Sequence, residues 1–240
     1  MLVAQLSDTH LLADRSAAVW GRKPTANLMA VMSALPSVDA IVVTGDVADD
    51  GSEEAYRCAD ELIRQGSAPR FFLAGNHDDD NAMGAVLGDV EALRLIQLSA
   101  HWTLALLNSH WVRHDAGYVP DSALDQLREA LERVTSHVLL SVHHPPLSPC
   151  PEPDCGLADS HRLLDDIRGS RVRVVLSGHV HRAFHTVAHG ITFLGAPSTL
   201  YQLHHGGDPH YTHTGEPPNA LLIDLYDDGG ANHRLAMTPH

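Results

Sequence analysis

The chain has 240 residues, with 16 Lys and Arg against 30 Asp and Glu and a formal charge of −14 at pH 7. At 44% hydrophobic and 19% charged residues it has the make-up of a globular protein with a sizeable core, which excludes a disordered chain. Lys23 is its only lysine and the arginines are scattered, so a basic face for tracking a phosphate backbone is excluded and no nucleic-acid partner is expected.

In chain order, short apolar runs alternate with helical patterns. Leu2–Leu6 ends at Ser7-Asp8-Thr9-His10, and a helix over Thr25–Leu35 follows Pro24, with Leu28, Met29, Met32 and Leu35 at helical spacing. Val38–Thr44, rich in β-branched residues, ends at Gly45-Asp46. Ser52–Gln65 opens with Ser and acids, as helices do, and Gly66 closes it. Arg70–Ala74 runs into Gly75-Asn76-His77-Asp78, and Trp102–Leu107 into Asn108-Ser109. Asp121–Val134 lines up Leu124, Leu127 and Leu131 on one helical face, and Val138–Val142 then ends at His143-His144-Pro145-Pro146. A helix over Asp159–Arg168 stops at Gly169, and Val172–Ser177 ends at Gly178-His179-Val180-His181.

Strands alternating with helices of this length predict an α/β fold with a substantially parallel sheet. After His181 the pattern changes. Ala183–Val187, Ile191–Leu194, Leu200–Leu203 and Ala220–Tyr226 read as strands without intervening helices, with Gly190 in a hairpin turn. A second, more antiparallel sheet built partly from the C-terminal half is expected, sharing one core with the first, so that residues 1–240 form a single domain. His204–Pro218, which carries His204, His205, His210 and His213, reads as a long loop, either a lid over a site or a solvated segment.

The cysteines are Cys58, Cys150 and Cys155. An odd number in a chain of this length fits no disulfide framework and predicts a reducing compartment. Cys150 and Cys155 flank Pro-Glu-Pro-Asp and are near enough to pair, but that compartment favours free loop thiols. The N-terminus has no basic n-region, Asp8 interrupts its only apolar run, and no stretch reaches the ~20 apolar residues of a membrane span. A cytoplasmic protein without a membrane partner is expected.

Each polar cluster follows the C-terminal end of an expected strand, and in α/β sheets those ends converge on one edge. Asp8, His10, Asp46, Asn76, His143, His179 and His181 can therefore share a pocket. All are oxygen or nitrogen donors, which suits manganese, iron, cobalt or zinc rather than a structural thiolate site. Seven donors exceed the four of one zinc and suit two metals sharing a bridging carboxylate. Each motif alone is also turn chemistry: Gly-Asp and Gly-Asn are turn dipeptides, and Pro145 merely ends a strand. Five such motifs in this order, each after a strand, are not accounted for by turns.

The order Asp8-x-His10, Gly45-Asp46, Gly75-Asn76-His77-Asp78, His143 and Gly178-His179-x-His181 resembles the signature of calcineurin-like metallophosphoesterases over residues 2 to about 200. Ser7 through Leu11, Thr44 through Asp49, Gly75 through Asp79, His143 through Pro146, and Ala196-Pro197-Ser198-Thr199 are similar to the class III cyclic nucleotide phosphodiesterases and related bacterial glycerophosphodiesterases. The resemblance implies a four-layer αββα sandwich of two mixed β-sheets. It implies one metal on Asp8, His10, Asp46 and His181 and a second on Asp46, Asn76, His143 and His179, with Asp46 bridging. His77 then faces the substrate phosphate rather than a metal, His144 is an outer or structural residue, and Asp49 and Asp78 orient their neighbours. Asn108 stands where relatives often carry Asp.

The reaction so implied is hydrolysis of a small phosphodiester, a 3′,5′-cyclic nucleotide such as cyclic AMP or a glycerophosphodiester. Two divalent ions make hydroxide available near neutral pH for in-line attack on phosphorus. His77, an imidazole, serves the departing oxygen, and Asn76 both ligates and touches the phosphate. A phosphomonoesterase on the same centre and a binding module that kept the fold without the chemistry are the alternatives. Relatives commonly dimerise, so a homodimer is implied by resemblance alone. Trp20 and Arg22 follow the first ligand loop, either lining the pocket or packing elsewhere.

Overall fold

The computed structural model describes residues 1–88, 90–206 and 211–236. His210, one of the four histidines of the expected loop, lies outside them. The chain opens β1 (Leu2–Leu6), α1 (Pro24–Ala34), β2 (Ala40–Thr44), α2 (Glu53–Leu62), β3 (Arg70–Leu73) and α3 (Asp80–Leu87). It continues β4 (Leu93–Gln97), β5 (Trp102–Leu107), α4 (Asp121–Arg133), β6 (His137–Ser141), α5 (Ser160–Ile167) and β7 (Val172–Ser177). It closes β8 (Phe184–Ala188), β9 (Ile191–Gly195), β10 (Leu203–His205), β11 (Tyr211–His213), β12 (Ala220–Leu225) and β13 (Ala231–Ala236).

One sheet runs β13-β12-β1-β2-β3 and the other β4-β5-β6-β7-β9-β8, with β10 and β11 as a separate two-stranded ribbon. Within the first, β1, β2 and β3 are parallel and β12 and β13 antiparallel. Within the second, β5, β6, β7 and β9 are parallel, flanked by antiparallel β4 and β8. Both sheets are mixed.

Side-chain alternation along β1 shows how the layers form. Ala4 and Leu6 turn one way, packing with Leu28, Val31, Tyr56 and Met83 of the first three helices. Val3 turns the other way and meets Leu104, Leu139 and Leu176 of the second sheet. The far face of that sheet, Leu107, Leu140 and Val175, packs on Leu124 and Leu127 of α4 and Leu163 and Ile167 of α5. The order is helix, sheet, sheet, helix, as the resemblance implies. Gln5, also between the sheets, is fully buried and spans them: its Nε2 donates to Thr44 Oγ1 at 3.0 Å and to Ser177 O at 2.9 Å.

The C-terminal strands depart from expectation. They build no separate antiparallel sheet but divide, β8 and β9 extending the second sheet beyond β7 and β12 and β13 returning to the first beside β1. The strand expected over Leu200–Leu203 begins only at Leu203, because Ser198 Oγ accepts the backbone N–H of Leu200 (2.9 Å) and Tyr201 (3.3 Å) and curls that segment into a turn. The loop expected over His204–Pro218 contributes β10 and β11. Helix α2 has its expected cap, Ser52 accepting from Ala55 N, but ends at Leu62 before Gly66, and Ile63 turns into the core. Cys150 and Cys155, expected as free thiols, form a disulfide; a turn in which Cys155 N donates to Glu152 O brings their Cα atoms to 5.8 Å. Among the described residues no helix is long and apolar enough to cross a membrane.

Leu104 is fully buried between the sheets, whereas Leu95 on β4 is 45% exposed. Leu104→Ala is expected to destabilise the fold by about 2–5 kcal/mol through loss of burial and an unfilled cavity. Leu95→Ala is expected to change it by no more than about 0.5 kcal/mol. Urea unfolding of both variants measures the contrast.

Candidate metal centre

The parallel strands end at the same edge of each sheet, and hydrogen bonding continues past their ends. Asp8 N donates to Gly45 O at 3.0 Å, His10 N to Asp46 O at 2.9 Å and Leu11 N to Val47 O at 3.0 Å, so the loops after β1 and β2 run side by side. The tips of β6 and β7 are laced likewise, Gly178 N donating to His143 O at 2.9 Å. The two sheets meet where His179 N donates to Asp8 Oδ1 at 3.0 Å and Thr199 N to Ser7 O at 3.0 Å. These contacts, with Asn76 Oδ1 held between His143 and His179, bring all seven expected metal ligands to one place.

The backbone there is strained. Asp8 (φ 53°), His10 (46°), Asp46 (50°), His179 (68°) and His181 (45°) are left-handed, a region that costs non-glycine residues energy and clusters at functional sites. Two glycines are required by close approach rather than by φ. A Cβ on Gly75 would lie 2.2 Å from Asp46 Oδ1 and 2.7 Å from His143 Nε2, and one on Gly178 would lie 2.0 Å from Ser7 Oγ.

Four imidazoles are pinned from outside. His10 Nδ1 donates to Asp49 Oδ1 at 2.9 Å, His143 Nδ1 to Thr44 O at 2.6 Å, His179 Nε2 to Asp154 O at 2.9 Å and His181 Nδ1 to Tyr201 O at 3.2 Å. A carbonyl or carboxylate only accepts, so each of these nitrogens carries the hydrogen and the other ring nitrogen turns inward. His10 Nε2 and His181 Nε2 face each other at 3.0 Å, with Asp8 Oδ1 3.4 Å from the latter and Asp46 Oδ2 3.7 Å from the former. Only a shared proton or a cation reconciles two such nitrogens, and a cation would also face the two carboxylates. The ligand atoms of Asp8, His10, Asp46 and His181 all lie within 4.8 Å of one another. Beside them Asn76 Oδ1 is 3.2 Å from His143 Nε2 and 3.0 Å from His179 Nδ1, and Asp46 Oδ1 is 3.5 Å from His143 Nε2. Asp46 thus faces both groups. The donor chemistry fits two borderline divalent ions.

Burial sets the electrostatics. It pushes Asp8 up to about 6 against the pull of His143. It also opposes the charge on Asp46, but His143, His10 and His77 outweigh it and hold that carboxyl well below its usual range. Burial works against the His143 cation too, yet Asp46 prevails and lifts it to about 9. His179 falls to about 4 and His181 well below the usual imidazole range, each through burial followed by a neighbouring imidazole. Those two are therefore neutral, the form in which imidazole ligates.

Asp78 is a scaffold, as expected: its carboxylate accepts from Val47 N, Ala48 N, Gly75 N and the Tyr56 hydroxyl, tying the second and third ligand loops together. Asp49 faces both His10 and His77, the latter at 3.5 Å. His77 donates its backbone N–H to Asp46 Oδ1 at 3.0 Å, and its ring lies at the mouth of the site, 42% exposed. His144 is bonded through Nδ1 to Ser109 Oγ at 2.8 Å, while its buried Nε2 has no hydrogen-bond partner and its ring lies 4.6 Å from that of His179. Asn108 Oδ1 accepts from His110 N at 2.9 Å, and its Nδ2 donates to Asp80 Oδ2 at 3.4 Å. The carbonyls of Tyr201 and Asp154 escape sequence reading, because a backbone acceptor leaves no residue signature.

The site opens into a cavity of about 750 Å³. One wall is aromatic: Trp20, 57% exposed, stacks on Tyr201 at 5.5 Å and on Tyr211 at 5.9 Å, nearly parallel to both.

A family model, the calcineurin-like phosphoesterases, matches residues 1–183. A 3′,5′-cyclic-nucleotide phosphodiesterase of Nostoc sp. is 33% identical over 99% of this chain and 92% of its own length. The 3′,5′-cyclic adenosine monophosphate phosphodiesterase CpdA of Pseudomonas aeruginosa is 32% identical over 95% of this chain and 87% of its own. Among solved structures, a dimetal phosphatase from Danio rerio superposes with a TM-score of 0.69 at 14% identity, covering 94% of this chain and 93% of its own, a likeness of fold. The strand-tip motifs, the αββα layering and these matches together make this chain a member of the calcineurin-like phosphoesterase family.

Proposed function

We propose that this enzyme hydrolyses small phosphodiesters at the centre described above, with 3′,5′-cyclic nucleotides such as cyclic AMP as its substrate class. The observation that carries the reading is the inward convergence of imidazole nitrogens and carboxylates on one point, a donor set suited to a cation. Asp8, His10, Asp46 and His181 hold one ion, and Asp46, Asn76, His143 and His179 the other; manganese, iron, zinc and cobalt all suit these donors. When bound, the ions supply positive charge for the phosphoryl oxygens and acidify water towards neutrality. Asp46 faces both positions, so its removal disables both.

His77 serves the leaving oxygen. Its Nδ1 faces Asp49, so as imidazolium it gives its Nε2 proton to the departing alkoxide and keeps the Nδ1 hydrogen. The bond from His77 N to Asp46 anchors its backbone beside the centre. Asn76 orients the phosphate through its amide. The Trp20–Tyr201 wall favours a substrate with a flat base, and the cyclic-nucleotide names of the Nostoc and Pseudomonas relatives support the same choice. Net acidity is no obstacle, since the ions provide the local field.

Asp46→Ala is expected to purify without its metal, measured by elemental analysis, and to be inactive. His77→Ala is expected to keep its metal and lose about 10²–10⁴-fold in kcat on an ester with an alkoxide leaving group. The same variant loses far less on a p-nitrophenyl ester, whose leaving group needs no proton; equal losses on both would remove His77 from the proton-donor role. Trp20→Ala is expected to raise KM for cyclic AMP about 5–100-fold, the worth of one stacked base. Its KM for glycerophosphoethanolamine, which has no ring, is expected to stay as it was.

A further inference from the structure

At the rim of the catalytic cavity a second set of donors converges, different in kind. Cys150, Glu152, Cys155 and His205 each bring a ligand atom to within 4.8 Å of the others. Glu152 Oε2 lies 2.9 Å from Cys150 Sγ and 3.9 Å from Cys155 Sγ, and His205 Nδ1 lies 3.5 Å from Cys155 Sγ. The tautomer of His205 is fixed from outside: its Nε2 is 2.7 Å from Val180 O, so Nε2 carries the hydrogen and Nδ1 turns a lone pair to the sulfur. With the cysteines joined, the sulfurs have no proton to offer, and a carboxylate oxygen and an imidazole lone pair both press against acceptors. Thiolates with a cation among them remove that conflict.

We propose that the reduced Cys150–Cys155 pair, with His205 and Glu152, forms a zinc site separate from the catalytic centre. Two sulfurs, an imidazole nitrogen and a carboxylate oxygen are a tetrahedral zinc set, and Cys-x4-Cys is within the spacing such sites use. Thiolates distinguish it from the all-oxygen-and-nitrogen centre and select zinc over manganese or magnesium. Both cysteines are buried and pack with Val180, as second-sphere shielding requires. Opening the site is a two-electron step. A thiol reductant, two equivalents of a monothiol or one of a dithiol, gives two electrons and two protons to the S–S bond and becomes a disulfide itself. Zinc then displaces both sulfur protons.

The place of the site gives it a role. Asp154, inside the Cys-x4-Cys loop, accepts from His179 Nε2, and Val180, which holds His205, sits between His179 and His181. Zinc on the rim ties the 150–155 segment to β10 and steadies the carbonyl that orients His179. The site is a positioning element.

The test uses full-length protein and zinc or cobalt ions alone. After thiol reduction, the wild type is expected to bind one more equivalent of zinc than the same protein kept oxidised, or than reduced Cys155→Ser. Cobalt in the reduced wild type is expected to show sulfur-to-cobalt charge-transfer absorption, lost in Cys155→Ser and weakened in His205→Ala. Asp46→Ala, stripped of the catalytic ions, is expected to keep that absorption. No additional zinc on reduction, or no sulfur-to-cobalt band, overturns this site while leaving the catalytic reading intact. Loss of catalytic metal requirement with the band retained would do the reverse.

Discussion

A carboxylate buried among imidazoles governs this structure. Asp46 is nearly fully buried, and an isolated charge there would cost several kcal/mol. It is tolerated because His10, His143 and the backbone of His77 face it, whereas Asp8, a second buried carboxylate, is pushed up to about 6 by burial and in part by repulsion from Asp46. Such a cluster is stable only when its charges are matched, and the inward-turned nitrogens leave the match to a cation. The strained backbone and the clearances at Gly75 and Gly178 follow from holding these groups so close.

The rest of the fold serves that arrangement at a distance. Parallel strands deliver their C-terminal ends to one edge, and two such sheets face each other so that Asp8 and His179, 171 residues apart, share a hydrogen bond. The outer supports are of two kinds. Asp49 and Asp78 are side chains that orient the His10 ring and the loops after β2 and β3. Thr44, Asp154 and Tyr201 act through carbonyls, so their identity matters less than the path of the chain. Tyr201 does both, since its ring also stacks on Trp20 in the cavity wall.

What could be read in the sequence divides along the same line. The strands before each motif, and the meeting of the polar residues that follow them, are legible, because buried runs and polar strand ends are local patterns. The short helix Asp80–Leu87 was not: it is eight residues with Gly84 inside, and its signal is the Asp79 cap, which accepts from Asn81 N and Ala82 N. The edge strands Leu93–Gln97 and Ala231–Ala236 are half exposed and lack a buried run. The partition of the C-terminal strands was beyond reach, since β12 pairs with a strand at the opposite end of the chain. The meeting of Cys155 with His205, fifty residues on, likewise depends on tertiary path. His204 and His205 read alike in sequence, yet His204 is exposed and His205 faces a sulfur.

The measurement that bears most directly on the central claim is an anomalous-scattering crystal structure of the protein loaded with manganese. One peak is expected among Asp8, His10, Asp46 and His181 and another among Asp46, Asn76, His143 and His179, with the Asp46 carboxylate between them. A map with no ion touching Asp46, or with His10 and His181 bridged by nothing but a proton, would contradict it.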